Sequence, residues 1–257
     1  MNKVLSGVRV LVTRPAHQAG NLCRLIEEQG GTAIRFPTLG IVSRDDAGEI
    51  TKTLANLDRF QWVVFISANA VNFALKANGG RIGRLKSVRY AAVGRSTAQA
   101  MAAAGLPVDL VPESGYNSEA LLAMPQMQQV EEQNCLIVRG EGGREELANT
   151  LRSRGANVEY LEVYKRVIPD VDGSELIKLL GQNRPDVITI TSGEALQNLL
   201  IMLGAGNHKL MSAIPLVVVS DRIRCAAADM GFKRITVTDS PSDTAILEAV
   251  TTCMLGE

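Results

Sequence analysis

A self-match at a constant offset of 125 residues constrains this chain more than any other feature. VLVTRP (10–15), followed by GGTAIRFP (30–37), overlays the stretch that begins at Cys135, with Arg14 on Arg139, Leu22 on Leu147, Ile26 on Leu151 and Gly30 on Gly155. FISANAVNFAL (65–75) overlays TITSGEALQNL with one residue's latitude, placing Ser67 on Ser192, Ala70 on Ala195 and Leu75 on Leu200. With one residue inserted, AAVGRSTAQAMAAAGL meets VVVSDRIRCAAADMGF, and NSEALLAM meets DTAILEAV. An ordered match in which turns fall on turns points to a duplication, and a chain of 257 residues has room for two domains of ordinary size.

The repeating unit is legible in residues 135 to 166. Leu136-Ile137-Val138 reads as a buried strand, and Arg139-Gly140-Glu141-Gly142-Gly143 as a turn where small residues let backbone approach a ligand. Leu147, Thr150 and Leu151 stand at helical spacing, Gly155 suits a C-terminal stop, and Val158 to Val167 is extended again. Further strands are predicted at 8–12, 32–36, 62–66, 90–93, 108–111, 187–191, 215–219 and 234–238, making ten with 135–139 and 157–167. Pro112 to Tyr116 reads as a loop, Asn117 or Ser118 as the cap of a short helix, and Met124 to Gln133 as a polar connection.

Strands alternating with helices predict an α/β protein with parallel sheets, whose ligands sit beyond the carboxyl ends of the strands. Thr13-Arg14-Pro15, Ser67-Ala68-Asn69, Gly94 to Thr97, Arg139 to Gly143, Thr191-Ser192-Gly193 and Ser220-Asp221-Arg222 all fall where a strand stops and a helix begins. A set of helix N-termini facing one site suits a multiply anionic ligand, although each turn alone is an ordinary cap.

Composition narrows the function by exclusion. Lys plus Arg equals Asp plus Glu at 27 each, so no overall basic field recruits nucleic acid or an anionic membrane surface. Of those basic residues 19 are Arg, which favours planar contacts to carboxylate or phosphate. Cys23, Cys135, Cys225 and Cys253 are scattered without a CxxC pair and are expected reduced; with only two His, no metal-ligand cluster is predicted. No apolar run approaches a membrane span and the N-terminus shows no signal-peptide pattern, so a cytoplasmic protein is expected.

RGEGGRE has Glu145 where a dinucleotide fingerprint needs its third glycine, and no turn is a GxxxxGK[ST] phosphate loop, which disfavours a nucleotide cofactor. Arg14 and Arg139 fit either a surface position or a shared ligand-facing or interdomain role. Alternation along the strand puts Tyr164 on the same face as Tyr160, and spacing alone makes it a half-buried structural tyrosine.

VTRP, SANAV, AVGRST, GYNSEALL, RGxGGRExL, Y-x-R after a GAxV strand, TSGExLQ and VSDR, in this order and spacing, resemble the uroporphyrinogen-III synthases, the bacterial members most closely. The resemblance runs nearly end to end. It implies two flavodoxin-like parallel-sheet domains joined by a two-stranded linker, with a cleft between them. One domain would combine residues 1–36 with 168–257, the other would span 37–167, and hinges would lie near 37–42 and 164–170.

The implied reaction removes water from the linear tetrapyrrole hydroxymethylbilane and closes the macrocycle with the terminal pyrrole ring inverted, giving uroporphyrinogen III for haem biosynthesis. No cofactor and no metal are implied. A substrate with eight carboxylates gives a physical reason for a site of helix N-termini, backbone N–H groups and Arg side chains. Because that substrate also closes spontaneously without inversion, the main task is orientation.

Tyr164 matches the tyrosine that assists hydroxyl loss in the family, its ring reaching the cleft while Leu161 and Val163 face other protein. Ser67, Thr191 and Ser192 match hydroxyl positions near the family's cleft, and the strand-end turns and helix caps add Arg14, Ala68, Asn69, Gly94, Ser96, Thr97, Asn117, Ser118, Arg139, Gly140, Gly142, Gly143, Gly193, Ser220 and Arg222 as expected binding positions. The chain departs from the family's Gly-x-Thr-Thr turn with Ser220-Asp221-Arg222-Ile223, where Arg222 offers a charged contact in place of a hydroxyl. A monomer is expected, with the tetrapyrrole as partner, a transient contact with the preceding enzyme of the pathway, and no nucleic acid or membrane. The competing readings are a two-lobed protein that binds a small polyanion without chemistry, and a nucleotide-sugar transferase, which lacks its nucleotide and metal signatures.

Overall fold

Short β-branched and apolar runs form the strands, and five of them give way to helices that start at Ser67, Gly94, Ser192, Ser220 and Ser242. The computed structural model describes residues 3–83, 85–115, 117–182 and 184–256; Tyr116, at the end of the expected 112–116 loop, lies outside them. Strands β1 (Arg9–Val12), β2 (Thr32–Arg35), β8 (Val187–Ile190), β9 (Leu216–Val218) and β10 (Ile235–Val237) form one five-stranded sheet in the order β10-β9-β8-β1-β2. A second sheet has the order β3-β7-β6-β4-β5, from β3 (Gly40–Ser43), β4 (Trp62–Phe65), β5 (Arg89–Ala92), β6 (Asn134–Gly140) and β7 (Asn157–Val167).

Helices α1 (Gly20–Glu28), α2 (Ala47–Ala55), α3 (Ala68–Ala77), α4 (Arg95–Ala103), α5 (Ser118–Ala123), α6 (Pro125–Gln128) and α7 (Glu146–Ser153) punctuate the first part of the chain. α8 (Gly173–Gln182), α9 (Gly193–Leu203), α10 (His208–Ser212), α11 (Asp221–Asp229) and α12 (Asp243–Leu255) follow. The pairings β1–β2, β1–β8, β8–β9 and β9–β10 are all parallel, as are β6–β7, β4–β6 and β4–β5. The expected strand at 108–111 is reduced to a single parallel bridge, Ala91 with Leu110, because Tyr90 N–H turns to the Asp109 side chain. Gly40–Ser43, expected only as extended chain, is a strand.

Both sheets therefore share one winding. β2-β1-β8-β9-β10 corresponds to β7-β6-β4-β5 completed by the bridge at Leu110, a doubly wound order with the first two strands of each repeat placed beside the later strands of the other. The chain forms two compact units, Met1–Gly40 with Val167–Glu257, and Ile41–Arg166. The change of unit near 36/37 expected from the sequence falls at 40/41, because fully buried Thr38 is held in the first unit. Thr38 Oγ1 donates to the Ala195 carbonyl at 3.0 Å, and Asn198 Nδ2 donates to the Thr38 carbonyl at 2.9 Å.

Each sheet is covered on both faces. In the first unit Leu11, Ile188, Ile190 and Leu216 pack with Leu196 and Leu199 on one side, while Val10, Val12 and Val217 pack with Leu22, Ile26 and Ile246 on the other. In the second unit Val63, Phe65, Leu136 and Val138 meet Val71 and Met101 on one face, and Trp62, Val64 and Ile137 meet Leu121 and Leu151 on the other. Strands buried on both faces explain why their sequences are continuous apolar runs. Among the described residues no helix is long and apolar enough to cross a membrane.

Candidate functional site

In the first unit the turns at the strand ends are fixed by hydroxyl groups. Ser192 caps α9, accepting from Ala195 N–H at 3.0 Å, and Ser220 caps α11, accepting from Ile223 N–H at 3.4 Å. Buried Thr13 donates to the Thr189 carbonyl at 2.7 Å, which ties the end of β1 to β8 and carries Arg14 to the edge. Arg14 is paired with Asp243 in the first turn of α12, and its second terminal nitrogen donates to the Pro241 carbonyl at 3.2 Å. Asp243 also accepts from Asn21 Nδ2 at 2.7 Å. Arg222 lies exposed at the second position of α11, while Thr191 and Gly193 are half-buried.

The corresponding edge of the second unit is built around Arg139, only 3% exposed. Its Nε donates to the Gly140 carbonyl at 3.1 Å, one terminal nitrogen to Glu145 Oε1 at 3.0 Å, and the other to the Gly142 carbonyl. The guanidinium lies 4.6 Å from the centre of the Tyr160 ring, and the Tyr160 hydroxyl donates to the other oxygen of Glu145. Gly142 and Gly143 have φ of +67° and +100°, conformations open to glycine at little cost. That hydrogen bond from Tyr160, with help from Arg139, holds the Glu145 carboxyl below its ordinary value. Burial, then the Glu145 carboxylate, pushes the Tyr160 phenol up.

Behind this turn Arg44 gathers three carboxylates. It contacts Asp46, Glu141 and Glu162, each at 3.0 Å, and its hydrogen bonds hold Asp46 below the usual carboxylate range. Glu162 in turn accepts from Gly142 N–H at 3.2 Å. A cavity of about 260 Å³ opens beside the turn, with Tyr160, Gly142, Gly143, Arg144 and Ser118 on its polar side and Ile66, Ile137 and Leu147 on its apolar side.

Tyr164 stands where the alternation of β7 breaks. β6 and β7 pair Arg139 with Glu162 and then Gly140 with Tyr164, so Val163 is an extra residue on β7. The bulge turns Tyr164 to the face opposite Tyr160, onto the core side with Leu161 and Val163. This corrects the expectation that alternation puts the two tyrosines on one face and sets Tyr164 apart from Leu161 and Val163. The ring is 2% exposed, 5.6 Å from the Phe73 ring, and lies over Gly140, where an added Cβ would come within 2.3 Å of it. Its hydroxyl is 3.4 Å from Ser67 Oγ, which also accepts from Ala70 N–H at 3.1 Å as the cap of α3.

Of the positions singled out from sequence, Ser67, Arg139, Gly140 and Tyr164 converge on the ends of β4, β6 and β7, with Ala68 and Asn69 in the first turn of α3. Ser118, Gly142 and Gly143 line the cavity with Arg139 and Gly140. Asn117 caps α5, accepting from Ala120 N–H at 2.8 Å, and Gly94 is the extended residue before α4, with Ser96 exposed and Thr97 buried. Arg139 turns its donors inward, onto its own turn. Tyr160, Glu145, Arg144 and Arg44 belong to this edge and were not selected from sequence. The adjacent apolar pair Val163-Tyr164, which breaks strict alternation, is the one signal that pointed to the bulge.

Two doubly wound parallel sheets, each with capped helix N-termini and an arginine at its strand ends, define a two-unit α/β protein. The family model for uroporphyrinogen-III synthase HemD matches residues 21–248. The chain is 35% identical over 246 residues to the uroporphyrinogen-III synthase of Salmonella typhimurium, covering 94% of this chain and 99% of that one. The Escherichia coli (strain K12) protein is 32% identical over the same length, with the same coverage. The fold is similar to that of a mutant uroporphyrinogen III synthase from Thermus thermophilus, with a TM-score of 0.65 at 18% identity, covering 98% of this chain and all of that one. The Helicobacter pylori enzyme aligns with a TM-score of 0.60 at 14% identity, over 95% of this chain and 99% of that one. The chain belongs to the uroporphyrinogen-III synthase family, whose place is in haem and tetrapyrrole biosynthesis.

Proposed function

We propose that this chain is a cytoplasmic, cofactor-independent lyase that converts hydroxymethylbilane to uroporphyrinogen III, losing water and inverting the terminal pyrrole ring. The observation that carries this reading is the alignment over 94% of the chain with relatives named uroporphyrinogen-III synthase. The strand-end edges supply suitable chemistry: hydroxyl caps at Ser67, Ser192 and Ser220, N–H groups opening α3, α9 and α11, and the exposed Arg222 in the first turn of α11. The phenol of Tyr164, beside Ser67, is the proton donor toward the departing hydroxyl. A phenol is a weak acid near neutral pH, so its contribution is a hydrogen bond to the leaving oxygen more than a completed proton transfer.

Holding the linear chain in the geometry that reaches the inverted ring is an orientation effect, and a fixed set of hydrogen-bond donors supplies it. We further propose that the protein works as a monomer. The test is incubation with freshly generated hydroxymethylbilane, oxidation, and separation of the porphyrin isomers. An excess of type III over type I is expected; equal or spontaneous proportions would overturn the reading.

A further inference from the structure

Arg139, Glu145 and Tyr160 make a closed clasp around the 140–144 turn. Arg139 is too deeply engaged to meet a ligand, since its three nitrogens go to the carbonyls of Gly140 and Gly142 and to Glu145. Glu145 is shared, with one oxygen on Arg139 and the other on the Tyr160 hydroxyl. The Tyr160 ring is itself stacked by Arg139 at 4.6 Å and Arg152 at 5.4 Å, so the phenol is held in one direction.

We propose that Tyr160 is a positioning residue which, through Glu145 and Arg139, sets the 140–144 turn as the polar wall of a subsite for one carboxylate arm of the substrate. This rests on the synthase reading above. The cavity fits that use: an apolar side at Leu147 and Ile137, the Ser118 hydroxyl, and Arg144, whose side chain is 68% exposed and 3.6 Å from Glu119. Two glycines at positive φ make the free turn costly to order. An anchor that orders it beforehand spares the ligand that cost and lowers KM without touching the chemical step.

The test uses the full-length protein with Tyr160→Phe, which keeps the ring on Arg139 and removes only the hydroxyl. Tryptic cleavage after Arg144, followed by mass spectrometry in the absence of substrate, should accelerate severalfold. KM for hydroxymethylbilane should rise about tenfold with kcat within about twofold, as expected for one lost hydrogen bond to a charged group that acts equally in ground and transition states. Glu145→Ala should raise KM similarly, Glu145→Gln, whose carbonyl oxygen still accepts from Arg139 while its NH2 donates to the Tyr160 oxygen, should stay near wild type, and Tyr160→Phe with Glu145→Ala should be no worse than Glu145→Ala alone. Unchanged cleavage in Tyr160→Phe, faster cleavage with unchanged KM, or additive losses in the double variant would each overturn the inference while leaving the synthase reading intact. A wild-type protein without excess type III product overturns that reading and this inference together.

Discussion

At the 125-residue offset the two units place the same strands in the same order yet secure their strand ends by opposite chemistry. Thr13, Thr38, Thr189 and Asn198 of the first unit correspond to Val138, Val163, Val64 and Phe73 of the second. In the first unit these four are buried and hydrogen-bonded: Thr13 to the Thr189 carbonyl, Thr189 to the Leu11 carbonyl at 3.2 Å, and Thr38 and Asn198 as described above. In the second unit the three valines are buried: Val138 and Val163 lie on the face where Phe73 packs and Tyr164 closes the layer, and Val64 lies on the opposite face. The equivalent arginines diverge too. Arg14 takes its carboxylate from Asp243, 229 residues away, whereas Arg139 takes Glu145 from its own turn, six residues away. A duplicated backbone thus tolerates either a satisfied polar network or an apolar layer, but a mixture leaves a buried donor without a partner.

Four measurements sharpen or break this contrast. The largest effect is expected from Tyr164→Phe, because Leu39, its counterpart at the same offset, has no proton to offer. kcat should fall about 100-fold, the low end of general-acid assistance, with type III still the isomer formed. A variant of wild-type rate would remove Tyr164 from the chemistry. Next, Arg139→Ala should cost about 2 to 3 kcal/mol in urea unfolding, since two carbonyls at the clasp lose their donor. Arg14→Ala should cost about 1 kcal/mol, because Asp243 keeps Asn21 and the favourable field of the first turn of α12. Equal losses would mean that the two arginines do the same work.

Exchanging the buried layers one residue at a time gives a smaller, signed difference. Val138→Thr should destabilise by about 2 kcal/mol by burying a hydroxyl in an apolar layer, and Thr13→Val by about 1 kcal/mol through the lost bond to Thr189. A reversed order would show that the polar network, not the apolar layer, is the less forgiving. The smallest effect concerns acid. Glu145 has its folded value below the ordinary 4.5, so it stabilises the protein above that pH and the contribution is lost as pH falls through the lower folded value. The Tm advantage of wild type over Glu145→Gln at pH 6 should therefore shrink toward pH 3. A constant difference would detach Glu145 from acid sensitivity.

The winding was legible from sequence because the duplication repeats local signals: an apolar run buried on both faces, a Ser or Gly turn, then a helical stripe, as at Phe65-Ile66-Ser67 and Ile190-Thr191-Ser192. The caps at Ser67, Asn117, Ser192 and Ser220 were legible for the same reason, since a cap bonds only to the next turn of its own chain. What Arg139 holds was not, because a guanidinium at a strand end looks alike in sequence whether it faces solvent or three acceptors. The side of the sheet on which Tyr164 lies was misread for a related reason.

By itself, then, the sequence determined the α/β class, the duplicated strand–turn–helix unit and the turns where polar groups gather, since all three are written in contacts a few residues apart. That β1 and β2 sit with β8 rather than β4 was implied by the family resemblance and not by the repeat, while only the tertiary structure decided that one extra residue at Val163 turns Tyr164 inward over Gly140 and that Tyr160 and Glu145 clasp Arg139. These outcomes depend on pairing between strands far apart in the chain. There a single-residue slip reverses every side chain beyond it, and no local pattern records which partner is chosen.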